Sequence, residues 1–337
     1  MSEPLLEIDD LTVRYGSGDE VVTGVSSASL TIERNESLGL VGESGSGKST
    51  LADAVIGALS DNGRITSGKI RYDGEEIQGL STPELNEKIR WKEISWIPQA
   101  SMNSLNPLQR ISRQAVELAN VHTELSEEEA ADRLAEAFEV VGLPPSRIDD
   151  YPHQFSGGMN QRAVIALAIF LRPNLIIADE PTTALDVIMQ DQIFKYLDEL
   201  KGRDTTIMLI THDISLVFEF CDSMAIMHAA QVAESGPVGE IYSNPRHPYS
   251  ILLQEAFPDF HESSKELSVI EGYPPQLGEK TDFCSFVDRC PWATEECRDH
   301  QPELESVAEE TELEHTVACV RKDQVDAEDR PTPARRD

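Results

Sequence analysis

Residues 42–49 constrain the fold of this 337-residue chain more than any other segment. They read Gly-Glu-Ser-Gly-Ser-Gly-Lys-Ser, the phosphate-binding loop pattern in which two glycines with four residues between them precede Lys and Ser. The apolar run at 37–41 predicts a buried strand before the loop, and the helical spacing of apolar residues over 49–56 predicts a helix after it. The sequence therefore predicts an α/β fold that binds a nucleotide at a strand-to-helix turn.

The residue types in this loop indicate how phosphate is held. Gly45 and Gly47 tolerate backbone angles that turn successive N–H groups inward, at a helix N-terminus that attracts anions. Lys48 is expected to bridge the outer phosphates, and the Ser49 hydroxyl to bind Mg²⁺. The predicted nucleotide-binding residues here are Gly42, Ser44, Gly45, Ser46, Gly47, Lys48, Ser49 and Thr50.

A second motif ends an apolar run at Asp179 and Glu180. The run predicts a buried parallel strand, and the C-terminal edge of such a sheet is where ligands bind. We expect Asp179 to hold Mg²⁺ through its water shell and Glu180 to orient and deprotonate the attacking water. A strand end alone is also compatible with a solvated loop, but residues 181–186 (Pro-Thr-Thr-Ala-Leu-Asp) and the upstream phosphate loop favour the catalytic interpretation.

Together with residues 155–159 (Phe-Ser-Gly-Gly-Met), these segments resemble the ATP-binding subunit of an ABC transporter over about residues 5–235. The resemblance implies a P-loop NTPase with a RecA-like parallel core, an antiparallel β subdomain and a helical subdomain. It also implies ATP and Mg²⁺ as cofactors, with Ser49, Gln99 and Asp179 at the metal.

The resemblance assigns further roles residue by residue. Tyr15 matches the aromatic residue that stacks on adenine, Gln99 the glutamine that reaches the metal and the water, and His212 the histidine that contacts the γ-phosphate. Glu180, His212 and Gln99 are thus the implied catalytic residues. Asp186 matches the loop that crosses the dimer interface.

The signature segment is expected to act on ATP held by a second subunit. Its residues are Ser156, Gly157, Gly158 and Met159. Phe155 and Met159 replace the Leu and Gln that are usual in this family, whereas the serine and both glycines are kept.

The net charge of the chain limits the kinds of partner that it can bind. The 61 acidic against 28 basic residues give a formal net charge of −33, which would repel a phosphate backbone, so a nucleic-acid partner is not expected. Such an acidic surface is typical of a high-salt cytoplasm, with an acidic mesophilic protein as the alternative. We find no apolar run long enough to span a bilayer and no signal peptide, so we expect the chain at the cytoplasmic face of the membrane, bound through a partner.

We predict an ATP-binding domain over 1–240, with its helical subdomain at about 100–172, an extension over 241–322 and a disordered tail over 323–337. Residues 126–129 (Ser-Glu-Glu-Glu) predict a helix capping box within the helical subdomain. The extension, residues 104–107 and residues 151–154 resemble the oligopeptide, dipeptide and nickel importer subfamily.

Four of the five cysteines fall in the extension: Cys284, Cys290, Cys297 and Cys319. In a reducing cytosol such a group favours metal over disulfides, but its spacing matches no common zinc pattern. An iron–sulfur cluster, a zinc ion and no metal remain open, and the subfamily resemblance favours a [4Fe–4S] cluster. We expect such a cluster to fix the fold of the extension and to take no part in ATP hydrolysis, because the phosphate loop lies in a separate domain.

The resemblance implies an ATP-hydrolysing subunit of a peptide importer. Two copies, or this chain and a homologue, would sandwich ATP and drive two permease subunits, with an extracellular solute-binding protein as an indirect partner. One alternative is import of nickel or another small solute. A second is a soluble ABC protein of DNA repair or translation, which would normally carry a second cassette or a long coiled coil.

Overall fold

A computed structural model describes residues 3–17, 20–99, 104–182, 185–201, 205–256, 270–273, 275, 282–307 and 315–325. The strands are β1 (Leu6–Ser17), β2 (Glu20–Ile32), β3 (Ser37–Val41), β4 (Gly63–Tyr72), β5 (Glu75–Glu76), β6 (Ile94–Ile97), β7 (Leu175–Asp179), β8 (Thr206–Thr211), β9 (Ser223–His228), β10 (Gln231–Pro237), β11 (Glu305–Ser306) and β12 (Thr316–Val317). The helices are α1 (Lys48–Val55), α2 (Thr82–Lys88), α3 (Ile111–His122), α4 (Glu127–Val140), α5 (Gly157–Ile169), α6 (Val187–Lys201), α7 (Ile214–Phe220), α8 (Val238–Ser243) and α9 (Pro248–Ala256).

The chain forms two compact units, each built from several chain segments. The first contains Met1–Leu5, Ile32–Ser37 and Ile77–Ile210, and the second contains Leu6–Thr31, Leu38–Glu76 and Thr211–Asp337. The predicted boundaries at residues 240 and 322 stay predictions. Val325 is buried although it falls in the predicted tail, and residues 326–337 lie outside the described part.

Parallel strands β6, β7 and β8 form the sheet of the first unit, with β7 in the middle. Every residue of β7 and β8 is buried, because parallel strands covered on both faces need apolar side chains on both. Asp179 is the last residue of β7, so the strand delivers it and the following Glu180 to the C-terminal edge of the sheet. The predicted α/β organisation is confirmed.

Helices α3, α4 and α5 form the helical part of this unit and pack in chain order. The predicted capping box is present: the Ser126 N–H donates to Glu129 Oε2 at 2.8 Å, and the Glu129 N–H donates to Ser126 Oγ at 3.2 Å. Leu134 and Phe138, one turn apart on α4, are fully buried and give the helix its inner face. The predicted helical segment begins at about residue 100, and residues 100–103 lie outside the described ones.

The second unit contains an antiparallel sheet in the order β2-β1-β4-β5. Strands β1 and β2 of this sheet are long, with 12 and 13 residues. Asp10, at φ 46°, begins a register shift against β4, and a Cβ on Gly68 would lie 2.4 Å from the Asp10 carbonyl oxygen. This bulge interrupts the alternation of side chains, which makes one long strand resemble two short ones.

A second sheet segment in this unit has the order β3-β9-β10-β12-β11. β3 and β9 are parallel, and the C-terminal strand β12 adds to β10 antiparallel, with Glu234 opposite Val317. The buried Glu234 carboxylate accepts the Arg246 and His247 N–H groups at 2.7 and 3.0 Å and faces His315 Nε2 at 2.8 Å. The extension is therefore built onto the sheet edge through a buried carboxylate. Across the described residues, none of the helices has the length and apolar character required to cross a bilayer.

Candidate nucleotide site

The phosphate-binding loop joins β3 to α1, as the sequence predicts. Gly45 and Gly47 have φ values of 79° and 106°, and a Cβ on Gly47 would lie 2.4 Å from the Gly24 carbonyl oxygen. A side chain is thus excluded by conformation at both positions and by space at Gly47. Ser44, Gly45 and Ser49 are exposed at the loop, and Ser46 is buried.

Lys48 is buried, and its ammonium group lies inside the loop. Nζ donates to the Gly42 and Glu43 carbonyl oxygens at 2.7 and 2.9 Å and approaches Ser46 Oγ at 3.5 Å. The loop carbonyls thus hold the positive charge where a phosphate chain would enter. A nucleotide would replace these neutral acceptors with charged phosphate oxygens, which bind an ammonium more strongly.

Tyr15, at the end of β1, contacts the same loop region. Its hydroxyl donates to Thr50 Oγ1 at 3.3 Å, and its ring packs so closely on Gly24 and Gly63 that a Cβ on either would lie 2.7 or 2.6 Å from ring carbons. The half-buried ring is held beside Thr50, the third residue of α1. This location is compatible with the predicted adenine contact.

In the first unit, the predicted catalytic carboxylate meets the predicted glutamine. Gln99 Nε2 donates to Glu180 Oε2 at 2.9 Å, although the two residues are 81 positions apart. The Glu180 N–H donates to the Ile210 carbonyl oxygen at 2.8 Å, and Glu180 has a φ of 47°. Such a backbone conformation is costly for a non-glycine residue and is concentrated at functional sites. Asp179, one residue earlier, is buried.

The signature segment begins α5. Ser156 is the N-cap residue, and its Oγ accepts the Met159 N–H at 3.4 Å. Arg147, which the sequence interpretation missed, contacts both residues that depart from the family pattern: its guanidinium carbon lies 4.6 Å from the Phe155 ring centroid, and its Nη1 lies 3.6 Å from Met159 Sδ. Arg147 is held by Asp150 at 2.6 Å. Phe155 and Met159 thus both contact the guanidinium of Arg147, an arrangement that sequence spacing alone does not indicate.

Two further contacts of the first unit connect α5 and α6 to the chain after Glu180. Gln161 on α5 is buried and donates to the Pro181 carbonyl oxygen. Asp186 caps α6 by accepting the Met189 N–H at 3.0 Å. In the second unit, His212 is exposed directly after β8. The catalytic, nucleotide and dimer roles of all these residues stay predictions.

Comparison with known proteins decides the family. The model of the family described as ABC transporter matches residues 25–183, and that of the oligopeptide/dipeptide transporter C-terminal region matches residues 233–297. The oligopeptide transport ATP-binding protein OppD of Haemophilus influenzae is 43% identical over 298 residues, 88% of this chain and 92% of that protein. The chain belongs to the ABC transporter ATP-binding family. The dipeptide transport ATP-binding protein DppD of Escherichia coli is 39% identical over 90% of this chain and 94% of its own length.

Solved structures agree with this family and confirm the predicted P-loop NTPase fold. A dimeric ATP-binding cassette in a post-hydrolysis state, bound to ADP and Pi, superposes with a TM-score of 0.63 at 28% identity over 69% of this chain and 98% of that one. The protein cbiO1 of Clostridium perfringens, part of an ABC transporter complex, gives 0.61 at 27% identity over 75% of this chain and 94% of that one. As a member of this family, the chain is an ATPase, and ATP with Mg²⁺ is typical of such ATPases.

The four cysteines of the extension line one cavity. Phe286 and Trp292 are also in its wall. Each sulfur has a backbone N–H neighbour: Thr294 donates to Cys297 at 3.5 Å, Arg321 to Cys319 at 3.4 Å, Phe286 and Val287 to Cys284, and Trp292 to Cys290. Among the described residues, no group of three or more His, Cys, Asp or Glu side chains is arranged to hold a metal ion.

The environment of three of these thiols, Cys284, Cys290 and Cys319, favours their neutral form. Burial, reinforced by the neighbouring cysteines, raises the pKa of Cys290 and of Cys319 to about 12, and burial also raises the pKa of Cys284. Any metal must therefore displace protons from these thiols on binding. Cys221, which is not part of this group, is buried directly after α7.

The extension contacts the phosphate loop, which the sequence interpretation assigns to a separate domain. Arg289 of the extension forms two hydrogen bonds of 2.8 Å with the carboxylate of Glu43, a residue of the loop itself. These two residues are 246 positions apart. Local sequence patterns do not indicate such a contact, because they relate only residues that are close together in the chain.

Proposed function

We propose that this chain is the ATP-hydrolysing subunit of a peptide importer. The observation that carries the proposal is the match to the oligopeptide/dipeptide transporter C-terminal region, joined to 43% identity with OppD over 88% of the chain. An ATPase of this kind never touches the solute, so the peptide is selected by partner proteins. The relatives compared above are peptide transport proteins, which favours peptides over nickel or another small solute.

Magnesium fits the donor types of the three residues that the family resemblance assigns to it. Hard cations prefer oxygen ligands, and Ser49, Asp179 and Gln99 supply a hydroxyl, a carboxylate and an amide oxygen. When bound, Mg²⁺ neutralises the charge that develops on the phosphates. Glu180 accepts a proton from water. Gln99, which is already hydrogen-bonded to Glu180, orients that water. Lys48 turns from the loop carbonyls to the phosphates, and His212 contacts the γ-phosphate.

The proposal includes a nucleotide sandwich. Two copies of the chain, or the chain and a homologue, would close so that Ser156, Gly157, Gly158 and Met159 contact ATP held by the partner, with Asp186 at the interface. This ATPase pair would drive two permease subunits from the cytoplasmic face of the membrane, and a solute-binding protein would deliver the peptide. The acidic surface would keep the chain soluble in a high-salt cytoplasm.

Coupling to peptide tests this proposal directly. We expect the full transporter, assembled in liposomes with its permeases and binding protein, to hydrolyse ATP at least ~5-fold faster when a peptide is present outside, because the binding protein must dock for the ATPase pair to close. The measurement is phosphate release with and without a mixed peptide pool. Stimulation by Ni²⁺ alone, with no response to peptides, would instead support the metal-import alternative.

We also propose that the four cysteines hold an iron–sulfur cluster rather than zinc. The support is that their sulfurs surround a cavity and accept backbone N–H groups, which stabilise metal-bound thiolates. One tetrahedral zinc would need all four sulfurs at about 2.3 Å from a single ion. A four-iron cluster binds each thiolate at a separate iron atom and is larger than a single zinc ion. It would fix the fold of the extension.

Metal analysis checks this second proposal. Anaerobic purification should give a brown protein with broad absorption near ~400 nm and about four irons per chain. Cys290→Ser should lose most of that iron, whereas Cys221→Ser should keep it, because Cys221 is a buried cysteine outside the cavity. One zinc per chain and no iron would discard the cluster, and no metal with four alkylated thiols would discard both.

A further inference from the structure

Glu43, a residue of the phosphate loop, is held through its N–H, its carbonyl oxygen and its carboxylate. Its N–H donates to the Tyr249 hydroxyl at 3.0 Å, its carbonyl oxygen accepts Lys48 Nζ at 2.9 Å, and its carboxylate accepts two hydrogen bonds from Arg289 at 2.8 Å each. Two of these three partners, Tyr249 and Arg289, lie after residue 240. The third, Lys48, is the predicted phosphate-binding lysine.

Arg289 is anchored on the extension side. Its side chain is only 6% exposed, and its guanidinium carbon lies 5.7 Å from the Phe286 ring centroid. Nη1 also donates to His228 Nε2 at 3.4 Å; burial, followed by His247 and Arg289, lowers the pKa of His228 to about 3, so this ring is neutral and accepts the bond. Arg289 Nε donates to the Glu271 carbonyl oxygen at 3.2 Å. The guanidinium therefore has one orientation.

Tyr249 supplies the second support. It lies on α9, is fully buried and packs against Phe286 at 5.4 Å between ring centroids. Burial raises its pKa, so its hydroxyl stays neutral and can accept the Glu43 N–H. The Phe286 ring thus packs against both residues of the extension that hold Glu43, Arg289 and Tyr249.

A bidentate contact fixes the position and the rotation of the carboxylate relative to the guanidinium more tightly than a contact between two point charges does. Here it fixes the residue that follows Gly42, where the backbone turns into the loop. The Glu43 carbonyl oxygen in turn accepts Lys48 Nζ and the Ser46 N–H, the latter at 3.2 Å. Holding Glu43 therefore reduces the number of conformations that the loop loses on binding phosphate.

We propose that Arg289 is a positioning residue of the ATP site: through Glu43 it preorganises the phosphate-binding loop, so that the C-terminal extension controls the affinity for nucleotide. Arg289 contacts neither ATP nor Mg²⁺ and acts only on the loop. The extension is thereby a working part of the ATPase as well as an addition to the sheet edge.

Steady-state kinetics of the full chain test the proposal. Arg289→Ala should raise the KM for ATP by roughly 10-fold and change kcat by less than ~3-fold, because it removes preorganisation of binding and leaves the catalytic residues in place. Arg289→Lys should recover part of the affinity, since it restores the charge but not the two parallel hydrogen bonds. Arg298→Ala is the matched control: Arg298 lies on the same extension, is 54% exposed and pairs with Asp288 at 2.7 Å, and its removal should leave both constants unchanged.

A double-mutant cycle separates positioning from general stability. Glu43→Gln alone should also raise the KM, and adding Arg289→Ala to it should raise the KM by less than ~2-fold more, because both changes break one contact. Additive effects would show that the residues act independently and would overturn the proposal. So would an unchanged KM in folded Arg289→Ala protein, as judged by its thermal unfolding. If Arg289→Ala does not fold, a folded Glu43→Gln chain with wild-type KM overturns it equally.

Discussion

Glu180→Gln should bind ATP normally and hydrolyse it at least ~100-fold more slowly, the scale expected when a positioned general base is lost. The substitution keeps the size of the side chain and a hydrogen-bonding partner for Gln99, which is 2.9 Å away in the wild-type structure. It also keeps the strained backbone at φ 47°. Only proton acceptance is removed, so the defect should lie in kcat.

Phosphate release under single-turnover conditions measures the chemical step, and a fluorescent ATP analogue measures binding. The same variant should accumulate as an ATP-bound dimer on size exclusion at high salt, because the closed sandwich is not discharged by hydrolysis. Glu136→Gln is a matched control, since Glu136 lies in the same unit in an exposed ion pair with Arg172 and should leave turnover unchanged. Turnover within a few-fold of wild type for Glu180→Gln would remove Glu180 from the role of base.

The parts of the fold that the sequence predicts are those with local causes. The strand, loop and helix around residues 37–56 follow from apolar spacing and from glycines at φ values that other residues avoid. The capping box at Ser126 is a four-residue pattern with its own hydrogen bonds. The bulge at Asp10 was missed because it is produced by pairing with Gly68, which is distant in the chain.

The same distinction holds for the site. Glu180 was identified at the acidic end of a predicted strand and Gln99 by family resemblance, and their contact is then visible in the structure. Arg147 and Arg289 were missed because their roles come from what lies against them: a ring and a thioether for Arg147, and a loop carboxylate 246 residues away for Arg289. Arginines are common on an exposed surface, so spacing alone does not separate these two from the rest.

A mixture of two inactive variants should regain activity if the signature acts across a homodimer. Lys48→Ala removes the ammonium at the phosphates, and Ser156→Arg blocks the signature, so each alone should lose roughly 100-fold or more of its ATPase activity. In a mixed dimer the Ser156→Arg chain still has an intact phosphate loop, and the Lys48→Ala chain faces it with an intact signature. Random pairing at equal amounts should therefore restore about a quarter of the wild-type sites.

The mixture of Lys48→Ala with Glu180→Gln is its control. The phosphate loop and Glu180 must come from the same chain in the proposed site, so this pairing contains no intact site and should stay inactive. Recovery in the first mixture only would therefore require a signature that works in trans, with its Ser156 hydroxyl and helix N-terminus directed at the partner's ATP. No recovery at any ratio, with both variants folded, would mean that the natural partner is a homologous chain or that the site is completed in cis.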